Sequence, residues 1–118
     1  MRHDISFLYN EPTQQVFAAG DVIFKEGDTG DVMYCVLAGE VAIAIGERVV
    51  EVVEAGSILG ELALIDRCTR SATATAKTDC TLAVISQRRF TTLIQQTPFF
   101  AIQVMSVLAD RLRRWSGS

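Results

Sequence analysis

From Gln14 to Ser86 the apolar residues come in short runs of Val, Ile, Phe and Ala, each closed by turn chemistry: AAGD, KEGDTGD, LAGE, IGER, EAGS, AKTDC. Runs of this length and β-branched content, separated by Gly, Asp and Ser, read as strands joined by tight turns. The predicted strands are Gln14 to Phe17, Val22 to Lys25, Val32 to Leu37, Glu40 to Ile45, Arg48 to Val53, Ser71 to Ala76 and Thr81 to Ser86. Alternation is clearest in VAIAI, where Val41, Ile43 and Ile45 share one face and the alanines the other. This spacing predicts an all-β sandwich, barrel or roll.

After Ser86 the period changes. Gln87 to Gln96 carries Phe90, Leu93 and Ile94 at helical spacing with Ser86 as N-cap, and Thr97-Pro98 opens a second helix with proline at its first position, running to about Trp115. On that helix Ile102, Met105, Ala109 and Leu112 repeat at the a and d spacing of a heptad, and Val104, Leu108 and Trp115 lie on a neighbouring face. Two apolar faces predict two partners, the β-domain and a second copy of the chain; the alternative is that both sink into one core. Ahead of the strands, Asp4 to Asn10 places Ile5, Leu8 and Tyr9 on one side, which predicts a helical turn or two before Pro12. With no internal repeat or linker, residues 1–118 read as one domain, with strands over about 13–86 and closing helices over about 87–115.

Length and composition narrow the classes. A chain of 118 residues with 49% hydrophobic content suffices for one core and is too short for two. A net charge of -3 argues against binding nucleic acid through phosphate neutralisation, so any anion must be met locally. No run approaches the roughly 20 apolar residues that cross a bilayer, and the start, MRHDISFLYNEP, lacks the apolar centre of a secretory signal. A cytoplasmic chain with no membrane partner of its own is expected. Cys35, Cys68 and Cys80 are odd in number and in no CxxC spacing, which fits reduced thiols rather than disulfides or an iron-sulfur cluster. The single histidine, His3, lies outside the patterned region, so no metal centre is expected and an enzyme of the cupin type on a similar roll is disfavoured.

Candidate chemistry is concentrated in GELALIDRCTRSATATA, from Gly60 to Ala76. Leu59, Leu62, Leu64 and Ile65 predict one short helix, which Gly60 lets start at a tight corner, and a helix N-terminus favours an anion in front of it. If Asp66 to Thr69 form a turn, Arg70 returns beside that N-terminus. A guanidinium with exposed amides makes a phosphate seat, and the small Ser71, Ala72 and Ala74 leave the backbone reachable. Glu61 would repel a phosphate but suits hydroxyls, as an acidic residue serves the ribose 2′-OH in dinucleotide sites. A site for both is a site for a nucleotide. From spacing alone, the alternative is that Glu61 and Arg70 pair with each other on the surface, an interaction worth under about 1 kcal/mol.

The same stretch, LGELALIDRCTRSATATA, resembles the phosphate-binding cassette of cyclic nucleotide-binding domains, whose pattern is FGELAL, a few variable residues, then PRxA. VFAAGDVIFKEGDTGDVMYCVLAGEVAI is similar to the family's opening β-roll segment, and FTTLIQQTPFFAIQVMSVLADRLRR to its two closing helices, most closely in catabolite-activator-type members. The resemblance implies a mainly β fold, a double-stranded β-helix or jelly-roll-like β-roll followed by two C-terminal helices. It implies a non-catalytic sensor whose ligand is cAMP or cGMP and which needs no cofactor. Within the cassette it implies that Glu61 accepts the ribose 2′-OH and that Arg70 pairs with the cyclic phosphate. Gly60 and the backbone amides near Leu62, Ala63 and Ala72 would complete the phosphate seat, and Ser71 would bond a phosphate oxygen or, in members preferring cGMP, the guanine. Ile43, Val50 and Val53 fall at apolar contacts to the base, Arg111 at a closing-helix arginine near the ribose glutamate, and Trp115 where such domains cap the purine.

Three departures stand out. Leu59 replaces the usual Phe, and Thr69 replaces the usual Pro, which leaves the turn before Arg70 less stiff in the unfolded chain. No helix-turn-helix follows Ser118, so DNA binding by this chain alone is not expected. Signal output would be a shift of the closing helix, reported through Arg111 or Trp115. Arg111, Arg113 and Arg114 also suit the last turn of a helix simply by complementing its dipole. The rival reading is a ligand-free interaction or dimerisation module on the same fold, meeting a second copy or an effector protein through the Ile102, Met105, Ala109, Leu112 stripe. The base wall and Ser71 do not separate cAMP from cGMP.

Overall fold

A computed structural model describes residues 6–66 and 69–115; His3, Ile5 and Cys68 lie outside the described residues. After a single 3-10 turn at Ser6–Leu8 the strands are β1 (Gln14–Phe17), β2 (Val22–Phe24), β3 (Val32–Ala38), β4 (Glu40–Ile45), β5 (Arg48–Glu54) and β6 (Ile58–Leu59). Then come α1 (Glu61–Asp66), β7 (Thr73–Ala76), β8 (Cys80–Ser86), α2 (Gln87–Gln96) and α3 (Phe99–Trp115). The strands form two antiparallel sheets of four, in the orders β1-β8-β3-β6 and β2-β7-β4-β5. This is the mainly β roll with closing helices that the strand pattern and the resemblance predicted.

Burial explains the two kinds of strand pattern. In β7 the TATA run alternates, with Ala74 and Ala76 inward and the threonines half-buried, because one face of its sheet meets water. β3 is buried almost throughout because it sits between two layers. Tyr34 and Val36 face the opposite sheet, with Val41, Ile43, Val53 and Leu82. Met33, Cys35 and Leu37 face the helices and join Leu8, Ile85, Leu93, Phe100 and Val104. Phe100 makes T-shaped contacts with Phe7 and Phe90, at centroid distances of 5.4 and 5.8 Å, so the start of α3 is rooted in this second core.

Several boundaries differ from expectation, each for a local reason. β6 was not anticipated: two residues give no alternation to read, yet Ile58 and Leu59 pair with Cys35 and Tyr34, so Leu59 belongs to a strand and not to the short helix. β7 starts at Thr73 instead of Ser71. Ser86 caps α2, accepting from the Arg89 amide at 3.1 Å, as predicted. α3 begins at Phe99, one residue beyond Pro98; the Thr97 and Pro98 carbonyls accept from the Phe100 and Ala101 amides. Along α3, Val104 is buried and Leu108 and Trp115 are half-buried, whereas Ile102, Met105, Ala109 and Leu112 stay exposed. The two faces of α3 therefore do not share one core. No helix among the described residues is long and apolar enough to cross a membrane.

Candidate ligand-binding site

A cavity of about 360 Å³ opens between the β2-β7-β4-β5 sheet, α1 and the C-terminal half of α3, within the range of small-molecule sites. Its wall is largely apolar, from Phe24, Ile43, Leu59, Ala63, Ala72, Leu108 and Trp115, with Leu112 at the helix that closes it. Polar chemistry enters from Glu61, Arg70, Ser71 and Arg111.

Arg70 is placed by its backbone and then by its side chain. Its amide donates to the Asp28 carbonyl at 2.8 Å, and its own carbonyl accepts from the Gly27 amide at 2.8 Å, which pins it to the loop after β2. That loop is shaped by Asp28, whose carboxylate accepts from the Lys25 amide at 3.1 Å. The guanidinium, in a residue only 6% exposed, lies 4.2 Å from the centroid of the Phe24 ring and donates to the carbonyls of Gly60 (3.0 Å) and Val32 (2.8 Å). No carboxylate among the described residues is within ion-pair distance of it. Burial lowers its pKa, opposed by Tyr34 and, to a smaller extent, by Asp31, Glu61 and Asp28; an arginine nevertheless stays cationic at neutral pH. A desolvated cation with only carbonyl acceptors is costly to hold, and an anion entering the cavity would offset that cost.

Glu61 opens α1 immediately after Gly60, whose φ of 77° makes the corner between β6 and the helix. The residue is 3% exposed, and its Oε1 accepts from Nη1 of Arg111 on α3. Glu61 and Arg70 thus do not pair with each other on the surface, which removes that alternative. Arg111, itself 5% exposed, donates through Nε and Nη2 to the two oxygens of Glu51 on β5, at 2.9 and 3.1 Å, and also to the Ile58 carbonyl. Burial alone would lower the Arg111 pKa, but Glu61 and Glu51 outweigh it and the net shift is upward. The Trp115 indole donates to Glu51 Oε1 at 3.1 Å, and the Arg111 guanidinium sits 5.6 Å from the centre of the Trp115 ring.

Of the residues singled out from the sequence, Gly60, Glu61, Leu62, Ala63, Arg70, Ser71, Ala72, Ile43, Arg111 and Trp115 line this one cavity. Val50 and Val53 do not. The ladder between β4 and β5 shifts between Ile43 and Ala44, which pair with Glu51 and Val49, so Val50 is the extra residue of a bulge. Val53, 1% exposed, belongs to the core between the sheets. Phe24, Leu59, Leu108 and Leu112 line the cavity without having been singled out for it. Glu51 was missed as well; its signal was a carboxylate recurring within the β-branched run VVEVVE, opposite the inward-facing Ile43.

A roll that presents a buried glutamate and a buried arginine from one β6-α1-β7 segment, under a C-terminal helix, defines a class of nucleotide-binding module. This chain belongs to the cyclic nucleotide-binding domain family, whose model matches residues 14–97. It is 32% identical over 115 residues to the cyclic AMP receptor protein of Thermus thermophilus, covering 93% of this chain and 52% of that protein. It is 35% identical over 81 residues to a cGMP-dependent protein kinase of Drosophila melanogaster, covering 69% of this chain and 7% of the kinase. Its fold superposes on the crystal structure of the Thermus thermophilus catabolite activator protein with a TM-score of 0.81 at 29% identity, over 95% of this chain and 55% of that one. The chain thus spans about half the length of the Thermus receptor and a small part of the kinase.

Proposed function

We propose that this chain is a non-catalytic sensor that binds a cyclic nucleotide monophosphate, cAMP or cGMP, in the cavity beneath α3 and signals through movement of that helix. The observation that carries the reading is Arg70: a buried cation held by two carbonyls, with no carboxylate partner among the described residues, in the same cavity as the buried Glu61. In this reading Arg70 takes the cyclic phosphate with help from Ser71 and the backbone near Leu62, Ala63 and Ala72. The second oxygen of Glu61 takes the ribose 2′-OH, since a carboxylate has room for more than one donor. The base lies against Ile43, Phe24 and Leu108, with the Trp115 ring as its cap. The similarity to one cAMP-named and one cGMP-named protein supports the ligand class and leaves both nucleotides open.

Calorimetric titration of Arg70→Ala against wild type tests the reading. Removing a desolvated charge partner costs roughly 2 to 5 kcal/mol, so affinity should fall about 30-fold to a few thousand-fold. Arg70→Lys keeps the charge but loses the fork, and should fall between the two. Equal affinity in all three proteins would dispose of the phosphate role of Arg70.

A second element of the reading concerns α3. Ile102, Met105 and Leu112 are 51%, 54% and 70% exposed and share a heptad face with Ala109. An apolar stripe of that spacing, turned away from its own domain, fits a second copy of this chain in a helix-helix pair. An effector protein seated on the same face is the competing occupant.

A further inference from the structure

We propose that Glu51 is the positioning residue that sets where α3 closes over the cavity. Glu51 does not line the cavity, yet its carboxylate gathers the polar groups of the last turns of α3. Arg111 meets it with two N–H donors, Trp115 with its indole N–H, and Arg114 with Nη2 at 3.2 Å. Residues 111, 114 and 115 lie on one side of the helix, three and four positions apart, so a single side chain on β5 fixes both the height and the rotation of the helix end. Glu61 receives one donor from the same helix, Nη1 of Arg111. A bidentate fork leaves a guanidinium one orientation, so the grip of Glu51 on Nε and Nη2 is what turns Nη1 toward Glu61. Glu51 thereby acts through Arg111 on the proposed ribose acceptor and through Trp115 on the proposed base cap. Its side chain is 12% exposed, which keeps these contacts from being screened as a surface pair would be.

The energetic logic is that of a two-state lid. The N-terminal half of α3 is rooted by Phe100 and Val104, so losing Glu51 should free the C-terminal half without unfolding the domain. If the competent state is the one with α3 down, apparent affinity scales with the fraction of molecules in that state. This consequence for the ligand rests on the cavity being the nucleotide site; the position of α3 does not.

Glu51→Gln and Glu51→Asp, compared with wild type, separate the two. Trp115 is the only tryptophan, so its emission reports the helix end directly. Without ligand, Glu51→Gln should shift Trp115 emission to longer wavelength and raise its quenching by acrylamide severalfold. Glu51→Asp should lie nearer wild type, and far-UV circular dichroism should be unchanged in both. With cAMP and cGMP, Glu51→Gln should bind roughly 5-fold to 50-fold more weakly than wild type, with partial recovery in Glu51→Asp. Unaltered Trp115 emission and quenching in ligand-free Glu51→Gln would overturn the positioning role, whatever the ligand does. Altered Trp115 signals with unaltered affinity would overturn the link from lid position to binding. A wild-type protein that binds neither nucleotide would instead overturn the site reading and leave the ligand-free Trp115 comparison to decide the role of Glu51.

Discussion

Arg70 is held in a slot that only glycines leave open. A Cβ at Gly30 would run into the guanidinium, coming within 2.7 Å of Nη2 and nearer still to Nε and Cζ. At Gly60 it would come within 2.6 Å of Nη1, on a backbone whose φ of 77° already disfavours a side chain. These two positions predict separable effects. Gly30→Ala, which carries no such backbone strain, should fold normally but displace Arg70 and weaken nucleotide binding by tenfold or more in calorimetry. Gly60→Ala should in addition lose roughly 1 to 3 kcal/mol of stability in urea unfolding, the usual cost of a strained non-glycine residue. Normal affinity in Gly30→Ala would mean that the slot does not matter. Cys35 makes a further, independent prediction. It is 0% exposed and burial pushes its thiol up to about 12, so peptide mapping after iodoacetamide treatment at pH 8 should find it unmodified in the folded protein and modified in urea. That Glu61 and Arg70 belong to one site was legible in the sequence because both stand out in a run of small residues, and both line the cavity. Val50 and Val53 were placed by the resemblance, which shows neither the bulge at Val50 nor the turn of Val53 into the core between the sheets, so neither lines the cavity. Glu51 offered only a carboxylate in a β-branched run, and nothing local tied it to Arg111, which lies 60 residues away on another element.

α3 links the two cores to the cavity. Its first turns are buried with Phe7 and Phe90, its last turns are tied to β5 and α1 by Arg111, and between them an apolar stripe faces outward. Both faces were legible from the heptad spacing, but which one the roll would take was not, since that depends on how α2 turns the chain at Thr97. The exposed stripe predicts self-association. Met105→Glu places a charge in its middle and does not touch the cavity, as Leu112→Glu would. Sedimentation should show wild type as a dimer at micromolar concentration and Met105→Glu as a monomer that still binds nucleotide. A wild-type monomer at every concentration would assign the stripe to another partner. Of the strands, those with clean alternation were legible to within a residue or two; β6 was not, because a two-residue strand exists only through its ladder to β3.

The molecule as a whole is a roll closed by a helix that is rooted in the core at Phe100 and Val104 and tied down at its C-terminal end by Glu51 and Glu61. A ligand that binds only the folded, closed form must stabilise it by mass action. At a hundredfold excess over its dissociation constant, a single ligand contributes about 2.7 kcal/mol. For a domain of this size that corresponds to a rise on the order of 10 °C in melting temperature, absent in Arg70→Ala. The most direct test is a calorimetric titration of the wild-type chain with cAMP and, separately, with cGMP. Saturable binding of at least one of them, at one molecule per chain and accompanied by a change in Trp115 fluorescence, is the predicted result. Heats of dilution alone for both nucleotides would contradict a cyclic nucleotide sensor and leave the family fold without its ligand.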